Sequence, residues 1–490
     1  MTTRLFLLLA LLLSGSAMSQ SIQNPGFEAT KPTDQLRPDA WTIKETAGFS
    51  AQLDRTHTLS GAQALKIAST VDAPSGFQSF SQACPVQLTR PTVVHLRTSI
   101  KSGNPAGVAL WCQIWDDKKM IGFVNSQSRG IEPTGTGDWR ELDLTLLVKP
   151  NAKRFVFGGY MQGKGEAWFD EVRFETAAGT NDTPPSPVVK AYLDEAIVIV
   201  QQNALVRDSV QWPQTKAEML GFASGMQTER EAHLVVEHLI NVLTQYGDKH
   251  SSFSGPKRAA AYRAAQPTEQ APKPVANYLE QGIAYVAVPS FGSVNEQRTL
   301  DFATEIQSLI RAIDTKHAVS GWIVDLRNNG GGNMYPMIAG LGPLLGEGTL
   351  GYFVKAKDEV AWAYNKGEAY AGKPGGGTKV AAPYHLRSKN APVAVLIGSR
   401  TASSGEMTAI SFVGRPATRF FGQPTAGFTT ANRSFDLSDG AKINLAVSVT
   451  ADRNHQKYPQ RLTPDQEIEK QPQEATDLTI EAAKAWLVKR

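Results

Sequence analysis

The sequence predicts a chain of more than one domain, with an all-β sandwich followed by an α/β domain. Its 490 residues correspond to two to four domains of about 100–200 residues each. Up to residue 176, short alternating runs of strand length are separated by turn residues. After residue 187, long amphipathic patterns alternate with compact apolar runs, which is typical of a largely parallel sheet with helices.

The composition is that of an ordinary globular protein and excludes several classes. Hydrophobic residues make up 41% and charged residues 20%, which argues against disorder. The net charge is only +4, and no block of basic residues indicates a nucleic-acid partner. Two cysteines, Cys84 and Cys112, are too few for a disulfide framework or a cysteine zinc cluster. They could form one disulfide or remain buried thiols, and no cofactor or metal site is predicted.

Residues 1–19 have the pattern of a secretory signal peptide. Arg4 supplies a positive charge, Leu5–Leu13 is a short apolar run, and small residues follow at Ala17–Ser19. A membrane anchor is the alternative, but about 20 apolar residues are needed to cross a bilayer. We therefore expect cleavage and export to the periplasm or the extracellular space. No later segment is apolar enough to predict a membrane span.

The first domain is predicted over residues 20–176 as a β-sandwich. Its alternating runs have strand length, and Gly, Pro, Asn and Asp cluster between them. The predicted strands are Ala64–Ile67, Val93–Ser99, Val108–Trp115, Glu141–Val148 and Arg154–Tyr160.

A small, polar and Pro-rich segment, residues 177–187, is the predicted linker to a second domain over residues 188–490. The predicted helices of that domain are Val189–Gln201, Glu229–Tyr246 and Leu300–Asp314. The predicted buried strands are Ile283–Val288, Gly321–Leu326, Val393–Ile397 and Thr418–Phe421. The segment Gly255–Pro274, rich in Ala, Pro and Gln, is predicted to be an irregular loop.

A glycine-rich segment, Asp325–Asn333, directly follows one of the predicted strands. Three consecutive glycines allow a tight turn that brings backbone N–H groups close to a ligand. Such groups hold either a phosphate or the oxyanion of an acyl-transfer reaction. The Gly-Lys-Ser/Thr ending of a phosphate-binding loop is missing, and a simple tight turn is the remaining alternative.

The segment Thr401–Glu406 lies between a predicted strand and an apolar helical run, Met407–Val413. A serine in such a strand-to-helix turn is presented to solvent, and the amides after it lie at a helix N-terminus that favours a developing anion. The alternative is ordinary helix capping, with Glu406 completing a capping box.

His250 follows a polar turn at the end of a predicted helix, within Tyr246–Phe253. A histidine there can act as a general base near neutral pH, or it can be a surface or structural residue. His233 and His238 are five residues apart and no HExxH pattern is present, so a zinc protease is not predicted.

Together and in this order, these segments resemble the C-terminal-processing (tail-specific) serine peptidases and their tricorn-core relatives. The resemblance is carried by YGDKHSSF at 246–253, GIAYVAVPSF at 282–291, GWIVDLRNNGGGN at 321–333, VAVLIGSRTASSGEM at 393–407, GQPTAGFTTANRSFDLSDGA at 422–441 and DRNHQKYPQRLTPD at 452–465. It implies a ClpP/crotonase-like α/β fold and a secreted serine-type endopeptidase that hydrolyses protein or peptide substrates through an acyl-enzyme.

The resemblance also implies roles for individual residues. The family nucleophile is the serine three residues before the acidic residue of its motif, which is Ser403 here. The backbone N–H of Ser404 would then join the oxyanion hole. The second N–H would come from the glycine turn, with Gly331 as the first candidate and Gly330 as its rival.

The general base is expected to be His250. The processing-peptidase branch carries a lysine base 25 residues after the nucleophile, but this chain has Phe428 there. Phenylalanine cannot accept a proton, whereas the tricorn-like branch uses a histidine located before the core sheet, as His250 is. Ser254–Tyr278 is too short for the PDZ domain that processing peptidases usually carry, so a preference for free C-termini is not expected.

The residue that orients His250 remains open among three carboxylates, Glu406, Asp452 and Asp465. Glu406 could instead cap a helix, and the two aspartates could instead stabilise turns at strand ends.

The two ends of the first domain resemble the edges of a galactose-binding-like jelly roll, as found in carbohydrate-binding modules. The matching segments are Asn24–Glu28 and Gly165–Phe174. Trp111, Trp115 and Tyr160 could stack on sugar rings, so a glycan contact is possible. The pattern favours the alternative that these three residues are core aromatics of the sandwich.

A second functional class is a non-catalytic protein that binds a hydrophobic ligand or a peptide on the same scaffold. The missing lysine and the unassigned third catalytic residue keep this alternative open. An acyl-CoA enzyme of the crotonase type is a third and weaker one, because exported compartments lack coenzyme A.

Overall fold

The computed structural model describes residues 22–103, 107–129, 131, 136–176, 183–264, 272–356, 358–469 and 477–490. The chain divides into two compact units. The first comprises the described residues up to Leu193 together with Trp212–His238, and the second comprises Asp194–Gln211 and Leu239–Arg490. The predicted signal peptide and residues 177–182 of the predicted linker lie outside the described residues, and the predicted domain boundaries stay predictions.

The first unit is built on a β-sandwich, which confirms the predicted all-β region. Its strands are β1 (Thr30–Lys31), β2 (Asp34–Pro38), β3 (Thr42–Lys44), β4 (Phe49–Asp54), β5 (Ala64–Ser69), β6 (Phe77–Pro85), β7 (Thr92–Gly103), β8 (Gly107–Trp115), β9 (Met120–Asn125), β10 (Gly137–Val148), β11 (Arg154–Gln162) and β12 (Glu166–Thr176). Two five-stranded antiparallel sheets have the orders β10-β7-β12-β5-β4 and β3-β6-β11-β8-β9, and β1 pairs with β2.

Alternation along the strands separates the core of the sandwich from its outer faces. On β8, Leu110 and Cys112 are fully buried in the core, whereas Trp111 and Trp115 lie on the opposite, half-buried side. Tyr160 lies on that outer face of the neighbouring strand β11, which follows from the same alternation. The interpretation as core residues is therefore wrong for Trp111 and Trp115, whereas Tyr160 is buried although it lies outside the main core of the sandwich.

Helices begin after the sandwich, and the first three precede the strands of the second unit. The helices are α1 (Pro187–Asn203), α2 (Trp212–Phe222), α3 (Glu229–Thr244), α4 (Pro256–Ala264), α5 (Glu296–Lys316), α6 (Met334–Leu345), α7 (Ser404–Ile410) and α8 (Leu478–Leu487). The remaining strands are β13 (Ser252–Ser254), β14 (Val275–Tyr278), β15 (Ile283–Ala287), β16 (Gly321–Asp325), β17 (Gly348–Lys355), β18 (Asp358–Asn365), β19 (Glu368–Ala371), β20 (Thr378–Lys379), β21 (Val393–Ile397), β22 (Thr418–Gly422), β23 (Thr430–Asp436), β24 (Lys442–Asp452), β25 (Lys457–Tyr458) and β26 (Gln466–Glu467). Short 3₁₀ turns occur at Gln127–Arg129 and Arg207–Ser209. None of the helices in the described residues is long and apolar enough to cross a membrane.

A six-stranded sheet forms the centre of the second unit, with the order β14-β15-β16-β21-β22-β26. All neighbours pair in parallel except β14 with β15. Strands β16 and β21 are buried along their whole length, which explains their uninterrupted apolar sequences. Helices α5, α6 and α7 contribute to the core on one face of the sheet, and α8 contributes to the core on the other.

An antiparallel sheet completes this unit and was largely missed in the sequence. Its order is β13-β24-β17-β18-β19-β20, and β23 and β25 also pair with β24. The predicted irregular loop Gly255–Pro274 is wrong over Pro256–Ala264, which forms α4. Proline at the first helical position and the alanines after it favour that helix, while residues 265–271 lie outside the described part.

Neither cysteine forms a disulfide, and both are buried. Cys84 on β6 pairs with Phe155 of β11, and Cys112 on β8 pairs with Phe157 on the other side of β11. Their backbones are thus two strand spacings apart, about 10 Å, whereas a disulfide needs Cα atoms within about 7 Å.

We therefore expect the protein to keep two thiols even when it is produced through an oxidising compartment. Ellman's reagent should react slowly with the native protein, because both thiols are buried, and should count two thiols in guanidinium chloride. Finding no thiol after unfolding under non-reducing conditions would contradict the strand arrangement.

Candidate active site

Ser403 and the predicted oxyanion glycines lie in loops that leave neighbouring parallel strands at the same sheet edge. Residues 288–291 follow β15, 326–333 follow β16, 398–403 follow β21 and 423–428 follow β22. These four strands are consecutive in the sheet. Because parallel strands have their carboxyl ends on one side, the four loops share one edge, where α/β proteins commonly bind ligands.

The glycine turn packs closely against the loops on both sides of it. Gly331 and Gly332 have φ angles of +100° and +118°. A Cβ atom on Gly332 would lie 2.1 Å from the carbonyl oxygen of Phe291, and one on Gly331 would lie 2.9 Å from Cβ of Ser403. Both positions therefore require glycine, and the turn lies directly against the predicted nucleophile.

The two predicted oxyanion donors of this turn already have acceptors. The N–H of Gly331 donates to Oδ1 of Asn329 (3.0 Å), and the N–H of Gly330 donates to Oγ of Ser290 (2.7 Å). Asn329 is fully buried. In this conformation, both amides thus hold the turn together.

Gly332 presents its N–H in the other direction. The carbonyl of Gly331 accepts from the N–H of Phe291 (3.1 Å), and the N–H of Asn333 donates to the carbonyl of Phe291 (2.6 Å). In a trans peptide the C=O and N–H groups point in opposite directions, so the N–H and C=O of Gly332 both point away from Phe291. The carbonyl of Gly332 accepts from Oγ of Ser404, at the start of α7 (2.7 Å).

Ser403 is the N-terminal capping residue of α7 and has a strained backbone. Its φ and ψ are 53° and −122°, a region that residues with a side chain rarely occupy. The turn is fixed by the N–H of Ala402, which donates to the carbonyl of Asn329 (3.0 Å). Gly405 allows this approach, because a Cβ there would lie 2.3 Å from the same carbonyl. The side chain of Ser403 is half-buried.

Glu406 is fully buried, and its carboxylate accepts hydrogen bonds from two segments. Oε2 accepts from the N–H groups of Ser403 (2.9 Å) and Phe428 (2.8 Å). Oε1 accepts from Oγ1 of Thr425 (2.5 Å) and the N–H of Gly427 (2.9 Å). Burial raises the pKa of Glu406, and these hydrogen bonds act in the opposite direction. These contacts differ from the predicted contact with His250.

The ring of His250 is held on its Nδ1 side by Thr430. Nδ1 lies 3.1 Å from the carbonyl oxygen of Thr430 and 2.9 Å from its hydroxyl. Because a carbonyl can only accept, the first contact requires the proton on Nδ1 and leaves Nε2 of the neutral ring as the basic atom. Burial lowers the pKa of His250, although Thr430 and the carboxylate of Asp248 partly oppose this shift. The neutral ring is thus the favoured form at pH 7.

The main chain of His250 is fixed from both sides. Its N–H donates to Oδ1 of Asp248 (2.9 Å), and its carbonyl accepts from Nδ2 of Asn432 (2.9 Å). The ring of Phe428 packs beside the imidazole, with the ring centroids 5.2 Å apart.

The two aspartates considered as orienting residues make other contacts. Oδ1 of Asp452 accepts from the N–H of Asn454 (2.8 Å) and Oδ2 accepts from the hydroxyl of Tyr458 (2.9 Å). Oδ2 of Asp465 accepts from the N–H of Phe420 on β22 (2.7 Å). Both carboxylates therefore stabilise turns and strand ends.

The structure thus connects most of the predicted site through short contacts. The glycine turn lies against Ser403, Ser403 and Phe428 share one carboxylate oxygen of Glu406, and Phe428 packs on His250. Thr430 was missed, because it lies 180 residues from His250 and no pattern in a single sequence joins them. Within the described ranges, no three His, Cys, Asp or Glu side chains are close enough to hold a metal ion.

Comparisons with known proteins point to one family for the second part of the chain. Residues 282–468 match the family model described as Peptidase family S41. The chain is 32% identical over 276 residues to the nisin-resistance protein of Lactococcus lactis subsp. lactis, a match that covers 56% of this chain and 81% of that relative.

Two solved structures are similar over their whole length. A lipoprotein from Streptococcus agalactiae is 25% identical, with a TM-score of 0.48, and the match covers 63% of this chain and 99% of that chain. A photosystem II D1 C-terminal processing protease is 16% identical, with a TM-score of 0.42, and the match covers 58% of this chain and 94% of that one.

The strained backbone at Ser403 predicts an unusual order of stability. Glycine occupies positive φ without cost, so the free energy of unfolding of Ser403→Gly should exceed that of Ser403→Ala by about 1 kcal/mol. Urea unfolding followed by circular dichroism measures the difference.

Ser434 on β23 provides the matched control, because it lies in regular strand. There the order should reverse, with Ser434→Gly less stable than Ser434→Ala by about 0.5–1 kcal/mol. The same order at both positions would contradict the strain at Ser403.

Proposed function

The chain belongs to peptidase family S41, and from this premise we propose that it is a secreted serine endopeptidase that cleaves peptide bonds through an acyl-enzyme. The observation that carries the proposal is the set of contacts around Ser403. Ser403 has a strained backbone at the start of α7 and lies against the glycine turn. The carboxylate of Glu406 links Ser403 to Phe428, and the ring of Phe428 packs on the neutral imidazole of His250.

In the proposed mechanism, His250 accepts the proton of Ser403 through Nε2 while Oγ of Ser403 attacks the substrate carbonyl. Thr430 holds the other ring nitrogen and thereby takes the orienting position for which three carboxylates were considered. His250 then protonates the leaving amine, and water releases the acyl group by the same steps.

The oxyanion would be stabilised by the N–H groups of Ser404 and Gly332. Ser404 is the first residue of α7, where backbone N–H groups lack helical acceptors. Gly332 replaces the predicted Gly331, because the N–H of Gly331 is bonded to Asn329, whereas that of Gly332 points away from Phe291. Two such donors stabilise the charge that develops on the carbonyl oxygen.

Substrates are proposed to be proteins or peptides that the enzyme meets outside the cytoplasm. The signal-like segment 1–19 supports export to the periplasm or the extracellular space. Since one relative is named for resistance to nisin, nisin is a reasonable peptide to test beside casein.

The first domain is proposed to contact glycans through the outer face of the sheet β3-β6-β11-β8-β9. Phe77 and Phe123 are each 54% exposed there, which is unusual for such large apolar rings. Trp111 and Tyr160 lie on the same face, and the hydroxyl of Tyr160 donates to Oε1 of Gln127 (2.7 Å). Aromatic rings beside fixed amides suit the apolar faces and hydroxyl groups of sugars.

Loss of either proposed catalytic residue should abolish serine reactivity. Ser403→Ala should fold normally and show no labelling by a fluorophosphonate probe, and His250→Ala should label and cleave casein about 10³-fold more slowly or less. Labelling of the wild type should fall as the pH drops through the lowered pKa of His250, below its ordinary value of 6.5, because the base must be neutral.

Ser434→Ala and His317→Ala are the controls, since Ser434 is an exposed strand residue and His317 stacks on Tyr278. Both should label like the wild type. Labelling of Ser403→Ala would reject that serine as the nucleophile. A folded wild type that neither labels nor cleaves casein would favour the alternative, a non-catalytic protein that binds hydrophobic ligands or peptides.

The glycan proposal predicts retarded migration in native gels that contain soluble xylan or galactan. Trp111→Ala and Phe123→Ala should each reduce the retardation, because each removes part of the aromatic face. Trp115→Ala is the control, since Arg154 already covers that ring. Migration of the wild type that is unchanged in either polysaccharide would count against this role.

A further inference from the structure

The ring of Phe428 occupies the space beside the imidazole of His250. The two ring centroids are 5.2 Å apart and the planes are tilted by 37°. Phe428 is half-buried, so its ring covers one side of the imidazole while Thr430 holds Nδ1. A contact of this kind limits the rotation of the imidazole and keeps water from it.

The main chain of Phe428 is fixed to the turn of Ser403. The N–H groups of Ser403 and Phe428 donate to the same atom, Oε2 of Glu406. Their two nitrogens therefore lie on either side of one oxygen. A displacement of the segment that carries Phe428 therefore acts on the same carboxylate oxygen that accepts from the proposed nucleophile.

Helix capping alone does not account for the burial of Glu406. A capping carboxylate needs only the N–H of Ser403 and can remain in solvent. Here the carboxylate is fully buried, which is costly, and three of its four donors belong to Thr425, Gly427 and Phe428. The carboxylate thus serves mainly to connect the start of α7 to residues 425–428 by hydrogen bonds.

We propose that Phe428 is a positioning residue that holds the imidazole of His250 toward Ser403 and shields it from water, with Glu406 fixing its distance from Ser403. This inference rests on the proposed function of Ser403 and His250. The processing-peptidase branch has its lysine base at the position of Phe428. In this chain, Phe428 instead positions His250, a base supplied by another segment.

The surroundings of the ring allow a specific pH readout. The carboxylate of Asp248 favours the protonated imidazole and burial opposes it. The other groups in contact with His250, from Phe428, Thr430 and Asn432, are uncharged. Removing the ring of Phe428 should therefore weaken the burial effect and leave that of Asp248 in place.

The test is the rate of fluorophosphonate labelling between pH 4.5 and 8 for wild type, Phe428→Ala and Phe428→Leu. Phe428→Ala should label at least about tenfold more slowly than the wild type at pH 7. The acidic limb of its rate–pH profile should move upward toward pH 6.5, because a hydrated imidazole is more easily protonated. Phe428→Leu still covers the imidazole, so its acidic limb should stay close to that of the wild type.

Phe435→Ala is the matched control, because Phe435 lies on β23 and its ring contacts Arg433. It should match the wild type in rate and pH profile. An unchanged acidic limb in Phe428→Ala would overturn the proposal even if the rate fell, since a purely structural role predicts only the loss of rate.

Two further measurements separate the possible failures. If Phe428→Ala unfolds at the assay temperature, Phe428→Leu decides, and an acidic limb moved to pH 6.5 in that folded variant would overturn the shielding role. Absence of Ser403-dependent labelling in the wild type would instead reject the proposed function itself.

Discussion

The parallel register of four neighbouring strands is the constraint on which the candidate site depends. Because β15, β16, β21 and β22 end at one edge, the loops that follow them have to share a small volume. The buried Asn329 joins three of these loops. Its Nδ2 donates to the carbonyl of Val288 (3.2 Å), its Oδ1 accepts from Gly331, and its carbonyl accepts from Ala402. Glycines at 331, 332 and 405 make such close approach possible.

The same crowding explains why unfavourable features persist at this edge. A serine with positive φ costs about 1–3 kcal/mol, and a buried carboxylate such as that of Glu406 is costly unless it is fully hydrogen-bonded. The hydrogen bond from the N–H of the strained Ser403 to Glu406 offsets part of both costs. The cores on both faces of the parallel sheet supply the stability that maintains this arrangement.

What the sequence could predict follows from how local each feature is. The strands β16 and β21 were predicted well because burial on both faces gives a continuous apolar run. The antiparallel strands β17 to β20 are partly exposed and gave no such signal. Resemblance suggested Ser403 and His250 as site residues. The roles proposed for Thr430 and Gly332 depend on long-range pairing and on the direction of single peptide groups, which no pattern in one sequence encodes.

The position of His250 depends on a different sheet from that of Ser403. Ser403 follows β21 of the parallel sheet, whereas His250 lies two residues before β13, which pairs with β24 of the antiparallel sheet. Residues 423–429 leave β22 of the first sheet and enter β23 of the second, and β23 also pairs with β24. Phe428 lies near the end of this connection and Thr430 is the first residue of β23, and both contact the imidazole. If His250 acts as the base for Ser403, as proposed, the two sheets have to be aligned. The hydrogen bonds of Glu406 to residues 425–428 provide that alignment at the junction of the two sheets.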